Sequence, residues 1–219
     1  MTPRKIGKNI SQEQLYRVKE KANSYEIKTK GFENYCGDVQ ILENILEKIY
    51  NSKNKFIVKN IKNKNIILTY DNVLGYLGDN SKIDIGAFAM TKGSTITLNK
   101  FMFDDSQYLI SEYRKAVENG YFAKGTSYLN IIDHEYGHII NKIDPEIYNK
   151  IIDEIEKMSY NNGEEIEVFI RKNISIYAKS RNVDGIYNEL LSELYSMLNG
   201  KNKDFALEVF RKAGVLYEN

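Results

Sequence analysis

The sequence predicts an α+β fold, with a small mixed sheet in the N-terminal half and helices throughout the C-terminal half. Two observations predict it. Between residues 56 and 99, short runs of β-branched and aromatic residues are separated by turn residues, a pattern typical of strands. After Asp104, apolar residues recur every three or four positions, which is typical of amphipathic helices. We therefore expect roughly three to five strands followed by a helical half.

The segment before the sheet carries weaker signals. Residues 1–36 are polar with little periodicity, and we expect a helix at Gln12–Ala22 within what is otherwise a tail or connector. Asp38 is a residue type that caps helix N-termini, and the apolar positions after it fall on one helical face: Ile41, Leu42, Ile45, Leu46 and Ile49. We expect residues 37–219 to form one folded domain.

Turn and capping residues delimit the elements that follow. The predicted strands are Phe56–Val58, Asn65–Tyr70, Gly86–Met90 and Ser94–Asn99. Lys92 and Gly93 separate the last two strands, and this dipeptide favours a β-hairpin. The predicted helices are Ser106–Asn119, a helix from Thr126 or Ser127 to about Lys142, one that begins at Asp144 and Pro145, and then Glu164–Ala178, Asp184–Asn199 and Lys203–Ala213.

The composition is that of an ordinary globular protein and argues against several classes. Among 219 residues, 31 are basic and 30 acidic, so the net charge of +1 gives no electrostatic basis for binding nucleic acid or an anionic membrane. No stretch approaches the ~20 apolar residues of a transmembrane helix, and the N-terminus lacks the apolar segment of a signal peptide. We therefore expect no membrane insertion, and either a cytoplasmic location or export by another route. The lone Cys36 fits a small core residue better than a nucleophile.

The segment His134-Glu135-Tyr136-Gly137-His138 has the spacing of a zinc-binding helix. The chain has two histidines, and both lie in this segment. Residues i and i+4 of an α-helix share a face, so both imidazoles can bind one ion. Glu135 follows the first histidine, where it can hold a water molecule and accept its proton. The motif predicts one Zn²⁺ ion and hydrolytic chemistry.

The third protein ligand has three candidates. Asp144 lies six residues after His138, the spacing of the metzincin class, but an N-cap aspartate followed by Pro145 explains it without a metal. Glu189 and Glu193 lie at i and i+4 of a predicted helix, so the first can bind zinc while the second accepts a hydrogen bond from a ligating imidazole. The residue one turn after Glu193 is a methionine, which cannot accept that bond. The pattern favours Glu189 as the ligand, with Asp144 as the alternative.

Three stretches, His134–His138, Ser175–Ala178 and Asn188–Leu194, resemble the anthrax lethal factor-like zincins. This group includes the lethal factor catalytic domain, the clostridial Pro-Pro endopeptidases and peptidase domains attached to phage head-morphogenesis proteins. The resemblance covers roughly residues 85–200. It implies a zincin-like catalytic domain, a zinc-dependent endopeptidase that acts on a protein or peptide substrate, and a phage-associated setting as a further possibility for where the protein works.

The resemblance also implies a role for individual residues. The zinc ligands would be His134, His138 and Glu189, and Glu135 would be the general base that activates the zinc-bound water. Glu193 would accept a hydrogen bond from a ligating imidazole. Tyr177 would be the phenol that stabilises the oxyanion, with Tyr187 as its alternative. Gly86, Ala87 and Phe88 would belong to an edge strand that pairs with the substrate backbone, or equally to an ordinary hairpin.

Two functions of other kinds remain open. One is a non-catalytic module in which the zincin fold is a structural part, for example of a phage particle. Glu135 speaks against it, because a structural zinc site needs no base and usually closes with four protein ligands. The other is a toxin or effector protease that enters other cells.

Overall fold

The computed structural model of the chain describes residues 7–53, 66–73 and 87–216. The chain divides into two compact units, one formed by Met1–Asn51 and Asn63–Glu112, the other by Ser52–Lys62 and Tyr113–Asn219. The described part of the first unit contains a sheet and that of the second is helical, which confirms the predicted α+β class.

Four strands of the described residues form one mixed sheet: β1 (Lys28–Lys30), β2 (Ile67–Asp71), β3 (Ala89–Lys92) and β4 (Thr95–Asn99). In the order β1-β2-β4-β3, both β1 and β4 run parallel to β2, whereas β3 pairs antiparallel with β4. The register places Leu68 beside Ile96, and both side chains are fully buried. Such burial stabilises the sheet by about 1.5–3 kcal/mol for each side chain.

The turn between β3 and β4 is the predicted hairpin. Gly93 has a φ of 66°, in the left-handed region that glycine adopts without strain. Lys92 pairs with Thr95 across this turn, which confirms the interpretation of the Lys92-Gly93 dipeptide. The strand expected to begin at Gly86 begins at Ala89 in the structure. Gly86 itself and the predicted strand Phe56–Val58 lie outside the described residues.

The segment before residue 37 contributes secondary structure to the first unit. Helix α1 (Gln12–Ser24) begins after Ser11, whose Oγ accepts the Gln14 N–H over 3.1 Å while Gln14 Oε1 accepts the Ser11 N–H over 2.8 Å. This reciprocal pair is a capping box, which satisfies two amide groups at the helix start. Residues predicted as a tail or connector thus supply a helix and, in β1, a strand that pairs with β2. Where the domain boundary lies stays a prediction.

Three more helices follow along the chain: α2 (Val39–Lys53), α3 (Lys100–Phe103) and α4 (Ser106–Glu118). Helices α2 and α4 match the predicted ones, whereas the short α3 was not predicted. Asn99, the last residue of β4, starts it, because its side chain accepts the Phe101 N–H over 3.1 Å. The fully buried core of this unit draws on α1, α2, α3, the sheet and a 3₁₀ turn at Phe32–Asn34, and includes Val18, Ala22, Phe32, Leu42, Leu46, Leu68, Ile96, Leu98 and Phe103.

The described part of the second unit is a helical bundle: α5 (Asn130–Ile143), α6 (Pro145–Asn161), α7 (Ile166–Asn173), α8 (Leu190–Leu198) and α9 (Asp204–Lys212), with a 3₁₀ turn at Tyr177–Lys179. Helix α8 packs against α5, α9 and the 3₁₀ turn, and α6 packs against α5, α7 and α9. Residues 190–197 of α8 are all buried, so α8 is the central helix of this unit. No described helix is long and apolar enough to cross a membrane.

Two helix boundaries of the second unit differ from the prediction. Helix α5 does not begin at Thr126 or Ser127, because a turn comes first, in which the Asn130 N–H donates to the Ser127 carbonyl over 2.8 Å. Helix α7 does not reach Ala178, because Ile174 leaves helical backbone geometry with φ −120° and ψ −85°.

The approach to α8 is a loop where the sequence predicts a helix from Asp184. Asn182 Oδ1 accepts the N–H groups of Asp184 over 2.9 Å and of Ile186 over 3.0 Å. Asparagine side chains that bond nearby amides compete with helix formation. The helix therefore begins only at Leu190, and Glu189 occupies its N-cap position.

Candidate metal centre

Helices α5 and α8 cross so closely that only a glycine fits at position 137. A Cβ atom at Gly137 would lie 2.4 Å from Ser192 Cα, a backbone atom that no rotamer change can move. The approach accounts for a glycine inside a helix, where it costs roughly 1 kcal/mol relative to alanine. It also brings Glu189 at the start of α8 against the α5 face that carries His134 and His138.

Three side chains converge on one point there. The Oε2 atom of Glu189 lies 3.0 Å from His134 Nε2 and 3.2 Å from His138 Nε2. One nitrogen or oxygen donor from each of the three residues lies within 4.8 Å of the others, which makes them a group that could hold a metal ion. His134 and Glu189 are buried and His138 is partly exposed, so the group opens toward solvent at His138.

The chemistry and spacing of these donors fit zinc. Two imidazole nitrogens and one carboxylate oxygen are a donor set that zinc accepts. In a tetrahedral site with bonds of about 2.0–2.1 Å, neighbouring donors lie roughly 3.4 Å apart. The observed separations of 3.0 and 3.2 Å are slightly shorter, so the side chains need only a small outward movement to surround an ion. Three protein donors leave a fourth position for water or substrate.

Glu193 fixes the orientation of His134 from the other side of the ring. Its Oε1 atom lies 2.9 Å from His134 Nδ1, a contact that holds the ring with Nε2 facing the donor group. The other oxygen, Oε2, accepts the Ala123 N–H over 2.9 Å and the Ser175 hydroxyl over 2.8 Å. Glu193 is 1% exposed, so these three donors account for its burial.

The same contacts change the acid–base behaviour of the cluster. Burial disfavours a charged imidazole at His134, but the adjacent carboxylates of Glu189 and Glu193 outweigh it and raise the pKa of His134 well above 6.5. Burial also disfavours the Glu189 carboxylate, yet hydrogen bonds from His134 and His138 lower the pKa of Glu189 below 4.5. Without a metal, the cluster therefore holds a proton between imidazole and carboxylate.

Tyr177 and Tyr187, the two candidates for the phenol, lie in different surroundings. The Tyr177 ring is stacked on the His134 imidazole, with centroids 5.5 Å apart and planes 13° apart. Burial and the nearby Glu189 carboxylate raise the pKa of Tyr177, so its hydroxyl stays protonated at neutral pH. The Tyr187 ring is buried under the Arg181 guanidinium, 4.4 Å from its centroid, and the Tyr187 hydroxyl bonds to that guanidinium. The structure thus brings Tyr177, and not Tyr187, into contact with His134.

Glu135 occupies the position in α5 next to His134 and is 5% exposed. The charge of Glu135 is one of those that raise the pKa of Tyr177. The predicted base thus follows a donor residue in α5, and the predicted phenol stacks on the imidazole of that same residue.

Asp144, the alternative third ligand, is not part of the donor group of the described residues. It ends α5 and occupies the N-cap position of α6, with Pro145 as the first residue of that helix. The predicted N-cap position of Asp144 is confirmed, but the Asp144 side chain makes no capping hydrogen bond. The Asp144-Pro145 pair thus marks a junction between helices.

The residues proposed to pair with substrate belong to the first unit. The Ala87 and Phe88 carbonyls both accept hydrogen bonds from Asn99, over 2.5 Å from its side chain and 3.0 Å from its backbone. Strand β3, which follows them, is the last strand in the sheet order of the described residues. The role of Gly86, Ala87 and Phe88 in substrate binding stays a prediction.

Three contacts of the centre could not be found from the sequence. The Ala123 N–H and the Ser175 hydroxyl hold Glu193, and the Tyr121 ring stacks on Tyr177 with centroids 5.1 Å apart. Ser175 lies in the stretch that resembles the lethal factor-like zincins, which is its only signal. Its partner, Glu193, lies on α8, 18 residues later in the chain, so no local periodicity could indicate the bond.

Comparison with known proteins assigns no family. No protein-family model matches the chain, and neither a curated protein nor a solved structure matches it significantly. The geometry of the donor group is therefore the main support for a function.

Proposed function

We propose that this protein is a zinc-dependent endopeptidase that hydrolyses peptide bonds of a protein or peptide substrate. The observation that carries the proposal is the meeting of His134 Nε2 and His138 Nε2 at one oxygen of Glu189. Glu135 supports it, because a site with only a structural metal needs no adjacent carboxylate.

The ligands would be His134, His138 and Glu189. A bound zinc ion lowers the pKa of a coordinated water and polarises a carbonyl group. Glu135 accepts the proton of the attacking water and delivers it to the leaving amine. The Tyr177 hydroxyl, kept protonated by its surroundings, donates a hydrogen bond to the oxyanion that forms at the scissile carbonyl. Glu193 keeps the His134 ring in the orientation that directs Nε2 to the ligand group.

Replacement of Glu135 tests this assignment of roles. We expect Glu135→Gln to bind as much zinc as the wild-type protein but to cleave peptides about 10²–10⁴-fold more slowly, because a carboxamide cannot accept the proton. Zinc content is measured by elemental analysis, and cleavage by mass spectrometry of a peptide library. Glu146→Gln is the matched control, since Glu146 is exposed on α6 and pairs with Lys150 on the next helical turn.

Each possible outcome of this experiment bears on a different part of the proposal. Full activity of Glu135→Gln contradicts the role of this residue. Zinc bound by the wild type without cleavage of any library peptide favours the non-catalytic module. A wild-type protein that binds no zinc contradicts the metal centre itself.

A further inference from the structure

The hydroxyl group of Ser175 bonds two parts of the metal centre at once. It donates to Glu193 Oε2 over 2.8 Å and accepts the Ala178 N–H over 3.0 Å. Ser175 is 1% exposed, so water does not replace either bond. One side chain thus connects helix α8 with the 3₁₀ turn.

The first bond leads to the ligand His134. A carboxylate can rotate about its bond to the side chain, and Oε1 of Glu193 faces His134 only while Oε2 is held in place. Ser175 and the Ala123 N–H hold it, from two different segments of the chain. The carboxylate plane, and with it the acceptor at His134 Nδ1, therefore depends on the serine hydroxyl.

The second bond leads to Tyr177. Ala178 follows Tyr177 in the 3₁₀ turn, and the N–H groups of Ile176 and Tyr177 are bound to the carbonyls of residues 120 and 121 over 2.9 and 3.0 Å. The Tyr177 ring stacks on the same imidazole whose Nδ1 bonds to Glu193. The hydrogen-bond partner of His134 and the turn that carries the stacked ring thus both bond to one hydroxyl.

We propose that Ser175 is a positioning residue of the metal centre: through Glu193 it holds His134 ready to bind the ion, and through Ala178 it fixes the turn that carries Tyr177. This inference rests on the metal centre of the proposed function and on no assumption about the substrate.

Metal affinity distinguishes positioning from mere packing. When Nε2 binds a cation, the Nδ1–H becomes a stronger donor, so the bond to Glu193 is worth more in the metal-bound state. A serine that only packs would stabilise the metal-free and metal-bound states equally, and its loss would leave the zinc Kd unchanged. Loss of a direct partner of a ligand weakens binding by about 10–100-fold. For Ser175→Ala, one bond further away, we expect about three- to tenfold weaker binding.

Ser192 provides a matched control. It is also 1% exposed, it lies on α8, and its Oγ has no hydrogen-bond partner among the residues that the structure describes. Ser192→Ala therefore removes a buried hydroxyl close to the centre without removing a bond, and we expect its zinc Kd to equal that of the wild type. The Kd is measured by competition with a chromogenic chelator, and the stability of the metal-free proteins by thermal unfolding.

Glu193→Gln shows whether Ser175 acts through the carboxylate. If it does, Ser175→Ala causes no further loss of zinc affinity in the Glu193→Gln background, whereas independent effects would multiply. Should Ser175→Ala fail to fold, Ser175→Cys replaces it, because a thiol fills the site but donates only weakly. We expect weaker zinc binding from that variant too.

An unchanged Kd in a folded Ser175 variant, with only a lower melting temperature, would overturn the proposal. The proposal would also be overturned if Ser175→Ala weakened zinc binding by the same factor in the Glu193→Gln background as in the wild type. A wild-type protein without zinc affinity would instead contradict the proposed function, so the two failures are distinguishable.

Discussion

The imidazole of His134 lies flat against the phenol ring of Tyr177, with 5.5 Å between the centroids and 13° between the planes. The Tyr177 ring is also stacked on Tyr121, with centroids 5.1 Å and planes 19° apart. Offset or parallel aromatic contacts of this kind contribute about 0.5–1.5 kcal/mol beyond area burial. His134 and Tyr177 are therefore placed by the same packing.

The first prediction concerns the two tyrosines. We expect Tyr177→Phe to keep its stacking and its zinc but to lose about 10²–10³-fold in kcat, because the donor to the oxyanion is gone. Tyr187→Phe should keep its kcat and lose about 1 kcal/mol of unfolding free energy with the bond to Arg181. Steady-state kinetics on a cleaved library peptide and thermal unfolding measure both. A fall in kcat for Tyr187→Phe alone would reverse the assignment.

The third ligand is tested by a pair of alanine variants. We expect Glu189→Ala to weaken zinc binding by more than about 100-fold, because one of three donors is lost, an effect beyond that of an outer partner. Asp144→Ala should bind zinc like the wild type, since Asp144 lies outside the donor group of the described residues. Zinc retained by Glu189→Ala and lost by Asp144→Ala would move the protein to the metzincin class.

A third prediction follows from the crossing of α5 and α8. Gly137→Ala should lower the unfolding free energy by about 3 kcal/mol or more, because the added methyl group meets the Ser192 backbone at 2.4 Å. Gly163→Ala is the control: Gly163 has a φ of 64° but open space around it, so strain alone should cost about 1 kcal/mol. Urea unfolding of both variants gives the comparison. If the two variants lost the same unfolding free energy, α5 and α8 would be able to move apart at no cost, and the prediction would be wrong.

The stability of the metal-free protein should depend on pH through His134. Its folded-state pKa lies above the unfolded value of 6.5, so its stabilising contribution is complete below 6.5 and is lost as the pH rises through the raised pKa. We therefore expect the melting temperature after chelation to fall as the pH rises above 6.5 and through the raised pKa of His134, and to fall less in His134→Gln. Zinc affinity should change in the opposite direction, because the metal displaces the proton. If the melting temperature of the metal-free wild-type protein did not depend on pH, the role of His134 in stability would be contradicted.

The local patterns of the sequence were sufficient to predict the donor residues. His134 and His138 lie at i and i+4 of one helix, and that relation is set by helix geometry alone. Glu189 and Glu193 keep the same relation although Glu189 caps the helix, because the Glu193 N–H donates to the Glu189 carbonyl over 2.9 Å. The hairpin at Gly93 was predictable for the same reason, since its signal is contained in the turn.

What could not be predicted depends on partners distant in the chain. Strand β1 has a polar sequence, Lys-Thr-Lys, and exists because its backbone pairs with β2, about 40 residues later. The start of α8 was misplaced because the Asn182 side chain outweighs helix propensity in the residues before Glu189. Ser175 could not be recognised because it lies outside the regular helices and its acceptor, Glu193, is on α8.

His134 and Glu189 are 55 residues apart in the chain, yet their side chains meet at 3.0 Å. An unfolded chain can offer the two histidines of one helix segment, but the carboxylate joins them only after α8 has docked on α5. An ion held by all three thus binds the native state almost exclusively, and each hundredfold excess over its Kd adds about 2.7 kcal/mol to folding. The rise in melting temperature on adding zinc therefore measures tertiary structure, because it depends on the docking of these two helices.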